Sequence, residues 1–331
     1  MINRTHNWGI IGLGSIAQKF ASDLKDVEGA RLYAVASRTQ RKARHFALKF
    51  EVEKVYGAYE ELANDPDVDI IYIATPHVLH AENTLMCLDR GKAVLCEKPI
   101  AINTAQLKNM IETAKQKSLF LMEGLWTNFM PHLQKVNELT QNKTYGECLK
   151  VEADFSFKAE FDAEKRLFNK ELGGGALLDI GIYPVYLALK LLGTPENIKA
   201  NCKFSSTGVD ISNQIDFKYA SGATAQLSSS FARTTPSKAR VYFENATVEL
   251  GYNFHETDQL DIKTNSGVDH MDFNYPSHGY QFEIEHVQDC LEKGLTQSPA
   301  WPLQSSLELT ETLDKIRNIM GLVYKEDEIS K

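Results

Sequence analysis

Three groups of residues in this chain have types and spacings that could do chemistry. The first is Gly12-Leu13-Gly14-Ser15-Ile16-Ala17, a G-x-G-x-x-A run that follows the apolar stretch Trp8-Gly9-Ile10-Ile11. Small residues at 12, 14 and 17 suit a tight turn, a close backbone approach to a pyrophosphate and close helix–strand packing. A helix opening at Ser15 and Ile16 would offer free N–H groups and a positive dipole end to phosphates. A glycine turn alone is common, but one that ends a strand and opens a helix is specific. The second group is Glu97-Lys98-Pro99, after the apolar run Ala93 to Cys96. A lysine at the carboxyl end of a parallel strand can hydrogen-bond a substrate hydroxyl and lower the pKa of a neighbouring acid. In isolation the tripeptide reads better as a solvated loop. The third is Gly173-Gly174-Gly175 with Asp179 and Tyr183 beyond it. On a helix these two residues share a face, and a carboxylate and a phenol on an apolar helix need partners. Taken separately, a paired aspartate and a core tyrosine account for them too. Pro184 cannot donate to Ile180, which predicts a bend just after Tyr183.

The elements that would carry these groups fall into two patterns. Apolar runs at 8–11, 31–36, 69–74, 93–96 and 119–122 alternate with helical patterns at 15–26, 40–50, 77–90 and 103–117. Such alternation predicts a Rossmann-type doubly wound parallel sheet over residues 1–122. Beyond residue 123 the period becomes two: Leu149, Val151, Ala153, Phe155 and Phe157 alternate with polar neighbours, and 214–219 with 223–231 reads as a hairpin. Further strands are expected at 239–243 and 258–263, and helices at 174–192, 279–293 and 303–323. Residues 123–331 are thus expected to form a substrate-binding and dimerisation α+β domain on a large, mostly antiparallel open sheet, with room for the C-terminal helix to pack back on the first domain.

Bulk properties narrow the function. A chain of 331 residues, 43% hydrophobic and 24% charged, has the composition of a two-domain globular protein. A net charge of -8 argues against nucleic acid or an anionic membrane as the main partner. The five cysteines are scattered, with no Cys-x-x-Cys pair, and fit a reducing compartment. Asp179, Pro184 and Lys190 interrupt the most apolar segment, and the first residues lack a leader pattern, so a cytoplasmic location is expected. The second strand ends Ala36-Ser37-Arg38, with Arg41 and Lys42 beyond and no carboxylate. A guanidinium beside a small hydroxyl suits a 2′-phosphate, which favours NADP(H) while leaving NAD(H) open. Arg38 also fits a plain surface role.

The glycine turn, Ala74-Thr75-Pro76-His77 with His80, Glu97-Lys98-Pro99, Glu123-Gly124-Leu125-Trp126-Thr127 and the Gly-Gly-Gly-x-x-x-Asp-x-Gly-x-Tyr run occur in one order. In that order the chain resembles the glucose–fructose oxidoreductase / inositol dehydrogenase / rhizopine catabolism (Gfo/Idh/MocA) family over nearly its whole length. It looks most like the dimeric dihydrodiol dehydrogenase and NADP-linked xylose dehydrogenase branch. The resemblance implies a nicotinamide-dependent oxidoreductase in which Tyr183 exchanges a proton with the substrate oxygen, Lys98 stabilises the phenolate and Asp179 positions or relays. A free phenol titrates near pH 10, so a nearby ammonium is needed to make it useful at neutrality. Many members carry His where this chain has Tyr183, which puts inositol-type substrates in doubt. Ala74, Thr75, His77, His80 and Glu97 are expected on the cofactor side. Trp126, Phe157, Tyr280 and Arg166 are expected to wall a pocket for a sugar, diol or carbonyl compound. The His77/His80 pair lacks cysteine or carboxylate partners at metal-binding spacing, so no metal is expected. The resemblance also supports a homodimer through the second domain. A non-catalytic dinucleotide- or sugar-sensing protein on the same fold is the alternative, and the presence of both Lys98 and Tyr183 weighs against it.

Overall fold

The computed structural model describes residues 4–275 and 277–329. The chain divides into two compact units. One comprises the described residues within Met1–Trp126 and Pro276–Leu307, the other Thr127–Tyr275 and Glu308–Ile329.

The first unit alternates strand and helix: β1 (His6–Ile11), α1 (Ser15–Leu24), β2 (Ala30–Ala36), α2 (Gln40–Phe50), β3 (Lys54–Tyr56), α3 (Tyr59–Ala63), β4 (Ile70–Ile73), α4 (His80–Asp89), β5 (Ala93–Glu97), α5 (Thr104–Lys117) and β6 (Leu121–Gly124). The strands form one parallel sheet in the order β3-β2-β1-β4-β5-β6. Strand order reverses between β1 and β4, and the crevice at the carboxyl ends there is where such sheets take ligands. The central strands are buried along their length, as strands covered on both faces must be. Ile11, Ile71, Ile73, Val94 and Cys96 pack with Cys87, Leu88, Leu107 and Met110 from α4 and α5. Each such fully buried large side chain contributes about 1.5–3 kcal/mol.

The remaining strands and α-helices are α6 (Pro131–Gln141), β7 (Cys148–Ser156), α7 (Ile182–Leu192), β8 (Asn197–Phe204), β9 (Asp210–Lys218), β10 (Thr224–Ser230), β11 (Ala239–Phe243), β12 (Thr247–Leu250), β13 (Gln259–Thr264), β14 (Gly267–Asp272), α8 (Tyr280–Glu292), α9 (Leu303–Met320) and α10 (Glu326–Ile329). In the second unit eight strands form a sheet in the order β14-β13-β12-β11-β7-β10-β9-β8. Pairing is antiparallel except between β7 and β10. Ile215 and Phe217 are buried while Gln214, Asp216 and Lys218 are exposed, the alternation read from the sequence. The expected fold class, a doubly wound parallel sheet plus an α+β part on a mostly antiparallel sheet, is the one observed. The segment Lys170–Leu192 has the length and hydropathy of a membrane span, and 83% of its most apolar window is buried inside the protein.

Three features differ from the sequence reading. Strands β3, β8, β12 and β14 were not expected. The single helix expected over 174–192 is a π turn at Leu177–Gly181 followed by α7. Pro184 has no N–H for the Ile180 carbonyl, and a widened turn just before it accommodates the missing bond. Finally, 277–307 belongs to the first unit, whereas a single cut at 122/123 assigns it to the second. The Asp23 carboxylate of α1 accepts from the backbone N–H of Tyr280 at 2.9 Å and of His278 at 3.2 Å. Gln288 of α8 donates to the Glu28 carbonyl at 3.0 Å and accepts from the Trp8 indole at 3.5 Å.

Candidate active site

The glycine turn has the tight geometry and open helix start that a phosphate cradle needs. Gly12 has φ +86°, and a Cβ there would lie 2.5 Å from the backbone of Ala74 and Thr75. Only glycine fits, because the turn after β4 crosses directly over the turn after β1. At Gly14 the surroundings are open, with no atom within 4 Å of a built Cβ. No side chain caps the first N–H groups of α1. Ser15 and Ile16 are exposed and Ala17 is buried against the sheet. An uncapped helix N-terminus beside open space can take the oxygens of a pyrophosphate in place of a cap, so these residues fit a dinucleotide. Past β2, buried Ser37 donates its N–H to the Tyr56 carbonyl at 3.3 Å, and Arg38 is exposed. Burial raises the Tyr59 phenol above its usual range, and the Arg38 guanidinium partly opposes this, which places its charge toward Tyr59.

The loop bearing Lys98 is clamped from several sides. Glu97, the last residue of β5, accepts from the Tyr72 hydroxyl through Oε1 and from the Lys98 N–H through Oε2 at 3.2 Å. Lys98 is half-buried, and its peptide to Pro99 is cis. Glu123 of β6 accepts the Ile100 N–H and the Trp301 indole N–H, each at 3.1 Å. Burial pushes the Glu123 carboxyl up, and these hydrogen bonds and the Lys98 charge only partly offset it. This gives Glu123 of the Glu-Gly-Leu-Trp run a structural part, which is to hold the Lys98 loop. His80 is fully buried, its ring nitrogens at 2.8 Å from the Pro99 carbonyl and 2.9 Å from the Thr75 carbonyl. It was expected to line the cofactor face; its observed contacts tie the Thr75 turn to the Lys98 loop. His77 lies beside it, ring centroids 5.6 Å apart, and Thr75 accepts from Asn83 at 3.1 Å. Trp126 stacks on Tyr280 at 5.0 Å, both buried.

Beneath this loop, α8 contributes Glu283, which sequence reasoning missed. It is 0% exposed, and neither carboxyl oxygen has a hydrogen-bond partner among the described residues. Burial, reinforced by the Glu97 charge, pushes its carboxyl well above the ordinary range. An isolated buried carboxylate would cost several kcal/mol, which is why burial favours the neutral form of Glu283.

The second unit holds the candidate acid/base. Tyr183 is the second residue of α7 and is 5% exposed. The chain reaches α7 through Gly175, at φ +128°, where a Cβ would sit 2.5 Å from Asp210 Oδ1. Asp210 Oδ2 accepts the Leu177 N–H and the Asn213 amide, each at 2.9 Å, and burial raises its carboxyl to about 6. The Tyr324 hydroxyl donates to the Gly174 carbonyl at 2.6 Å. Asp179, in the π turn, is paired with Arg166 at 2.7 Å. Arg166, expected as a pocket wall, is thus the partner that a buried aspartate requires.

Around Tyr183 stand Phe155 at 5.6 Å and His255 at 5.0 Å between ring centroids. Phe155 and His255 are themselves stacked at 4.1 Å. Phe157 continues the wall, 6.3 Å from Phe155 and 5.3 Å from Phe231. Phe155 and Phe157 are partly exposed. Of these neighbours only Phe157 had been singled out. His255 lies in an irregular segment with no periodicity or motif spacing, and nothing in the sequence marks it.

The chain is similar to known proteins over nearly its whole length. Residues 6–125 match the oxidoreductase family model with the NAD-binding Rossmann fold, and 133–249 match the GFO/IDH/MocA C-terminal domain. The chain is 34% identical over 328 residues to a trans-1,2-dihydrobenzene-1,2-diol dehydrogenase of Xenopus tropicalis, covering 96% of this chain and 98% of that one. It is 32% identical over 334 residues to the Homo sapiens protein of the same name, covering 97% and 98%. Among solved structures it is similar to an aldose-aldose oxidoreductase from Caulobacter crescentus, with TM-score 0.87, 24% identity, and 96% and 97% of the two chains covered. A 3-ketoreductase from Actinomadura kijaniata in complex with NADP and TDP-benzene superposes with TM-score 0.86 at 24% identity, covering 96% and 98%. With both family domains matched in order and a full-length relative at one-third identity, the chain belongs to the Gfo/Idh/MocA family and is an NAD(P)-dependent oxidoreductase.

Proposed function

We propose that the protein is an NADP-dependent dehydrogenase or reductase of small hydroxylated molecules, sugars or diols, with Tyr183 as acid/base and Lys98 assisting. The observation that carries this reading is the Tyr183 phenol at the start of α7, beside the partly exposed ring of Phe155, which Phe157 adjoins. The names of the vertebrate diol dehydrogenases and of the solved aldose-aldose oxidoreductase and 3-ketoreductase support the substrate class. In this reading Tyr183 gives a proton to the substrate carbonyl oxygen in reduction and takes it from the hydroxyl in oxidation. The Lys98 ammonium stabilises the phenolate, which lets a phenol act near neutral pH. Asp179, neutralised by Arg166, keeps the turn before α7 in place. When bound, the nicotinamide supplies or accepts the hydride. Ser37 and Arg38 would hold the 2′-phosphate that distinguishes NADP from NAD.

The test is oxidation of a panel of aldoses and vicinal diols with each cofactor, on the wild type and on Arg38→Ser. Loss of a charge-assisted contact to phosphate is expected to lower kcat/KM for NADP about 10–100-fold and to leave NAD within a few-fold. An equal fall for both cofactors would remove Arg38 from the phosphate site.

We also propose a homodimer through the open face of the eight-stranded sheet, where Glu152, Asp154, Gln226, Ser228, Lys238 and Arg240 form a concave polar surface. Light scattering at micromolar concentration is expected to give twice the chain mass. A monomer mass would contradict it.

A further inference from the structure

The π turn Leu177–Gly181 joins the glycine run to α7, and Tyr183 follows its last residue by two positions. Such turns are rare and persist where their surroundings fix them. Here the surroundings include three buried polar side chains of β9 and β10. Asp210, 0% exposed, accepts the N–H of Leu177, the first residue of the turn, at 2.9 Å. Asn213 donates to the same carboxylate oxygen at 2.9 Å and to the Ser229 hydroxyl at 2.7 Å. Ser229 lies against the last residue of the turn, where a Cβ on Gly181 would meet its Oγ at 2.8 Å. One hydrogen-bonded chain, Asp210–Asn213–Ser229, therefore bears both ends of the turn. A shift of the turn passes to the phenol two residues on, and a misplacement of about 1 Å can cost a reaction about 100-fold.

This support is not the most stable one available, because well-packed apolar side chains would bury no charge. Burial raises the Asp210 carboxyl to about 6 despite its donors. A carboxyl raised above its ordinary 3.8 contributes stability that is full below 3.8 and lost as pH rises through about 6. At neutral pH the carboxylate is thus kept at a cost in stability. The titratable groups that face it are Tyr324, whose hydroxyl donates to the Gly174 carbonyl, and Cys202 of β8. Burial and the Asp210 charge raise both, Cys202 to about 11, so neither titrates near neutrality. Arg317 lies beyond Tyr324, 5.2 Å from its ring, and is paired with Asp314 and Asp327. Asp179, on the turn itself, is paired with Arg166.

We propose that Asp210 is a positioning residue for Tyr183, its carboxylate setting the place of the phenol through the Asp210–Asn213–Ser229 chain and the π turn. This rests on the reading of Tyr183 as acid/base. The test is carbon NMR of the full chain labelled with ¹³Cζ-tyrosine, titrated from pH 8 to pH 5, with the Tyr183 signal assigned by its loss in Tyr183→Phe. In the wild type that signal is expected to shift in one step with a midpoint at about pH 6. Asp210→Asn has an amide oxygen that can accept as Oδ2 does. It is expected to show no step, and a melting temperature at pH 7.5 no lower than the wild type's, since a buried charge is gone. Asn213→Ala removes a donor that favours the carboxylate, so its midpoint is expected to move up; it decides the matter should Asp210→Asn not fold. No step in the wild type, or an unmoved midpoint in Asn213→Ala, would overturn the proposal. So would a step that persists in Asp210→Asn, as titration of the His255 imidazole beside Tyr183 would give. A fall in melting temperature with an unchanged Tyr183 signal in Asp210→Asn would mark a carboxylate kept only for stability, and would overturn it too. Failure of the underlying reading shows separately, as full turnover in Tyr183→Phe whatever the titrations give.

Discussion

Replacing Tyr183 by phenylalanine is expected to lower kcat by about 10²–10⁴-fold, the range that a positioned general acid or base supplies. The substitution removes one oxygen and keeps the ring. The contacts of that ring with Phe155 and His255 therefore survive, and the loss of thermal stability should stay within about 1 kcal/mol. NADPH affinity should be unchanged, because the phosphate turn is built from Gly12, Gly14 and the start of α1. This combination separates a chemical role from a packing role. A core tyrosine with a purely structural hydroxyl would lose stability and keep its rate. A variant with kcat within a few-fold of wild type would refute the acid/base assignment.

The second large effect is expected at Gly12. Gly12→Ala places a methyl 2.5 Å from the Ala74 carbonyl and the Thr75 nitrogen, at a residue with φ +86°. Neither neighbour is the flexible end of a side chain, so backbone must move. The positive φ and the overlap each cost about 1–3 kcal/mol. Thr75 is also tied to His80 and Asn83, so the displacement would be passed to the loop carrying Lys98. A drop of several degrees in Tm and a loss of NADPH affinity of at least about tenfold are expected, measured by thermal melts with and without cofactor. Gly14→Ala, at an open position, is the control. Its Cβ meets nothing within 4 Å, so the fold should be unaffected and only cofactor approach impaired. Equal melting temperatures for Gly12→Ala and wild type would contradict the close crossing of the two turns.

Much of the first unit was legible because parallel strands buried on both faces announce themselves as short apolar runs. Ile70-Ile71-Tyr72-Ile73 could hardly be anything else. Strand β3 was missed since three residues give no period to read. Strand β14 was missed for a different reason. Gly267–Asp272 is an exposed edge strand whose residues are mostly polar, so no apolar face marks it. The return of 277–307 to the first unit was hidden because an amphipathic helix shows that it has a buried face, not which surface that face meets. Motif-borne residues such as Gly12 and Lys98 stand out in the sequence, while Glu283 and His255 do not. Both matter only through residues far away in sequence, Glu97 for one and Phe155 with Tyr183 for the other. The reading of Arg166 as a pocket wall did not foresee its pairing with Asp179, since the two lie thirteen positions apart across a glycine-rich turn and local spacing carries no hint of the contact.

The central claim is that the turn after β1 and the Ser37–Arg38 end of β2 bind NADP for use by Tyr183. Fluorescence titration of the wild-type protein with NADPH and with NADH tests its first half most directly. Binding of NADPH at least about tenfold tighter than NADH is the predicted result, as one charge-assisted contact to the 2′-phosphate requires. Equal affinities, or tighter binding of NADH, would contradict it.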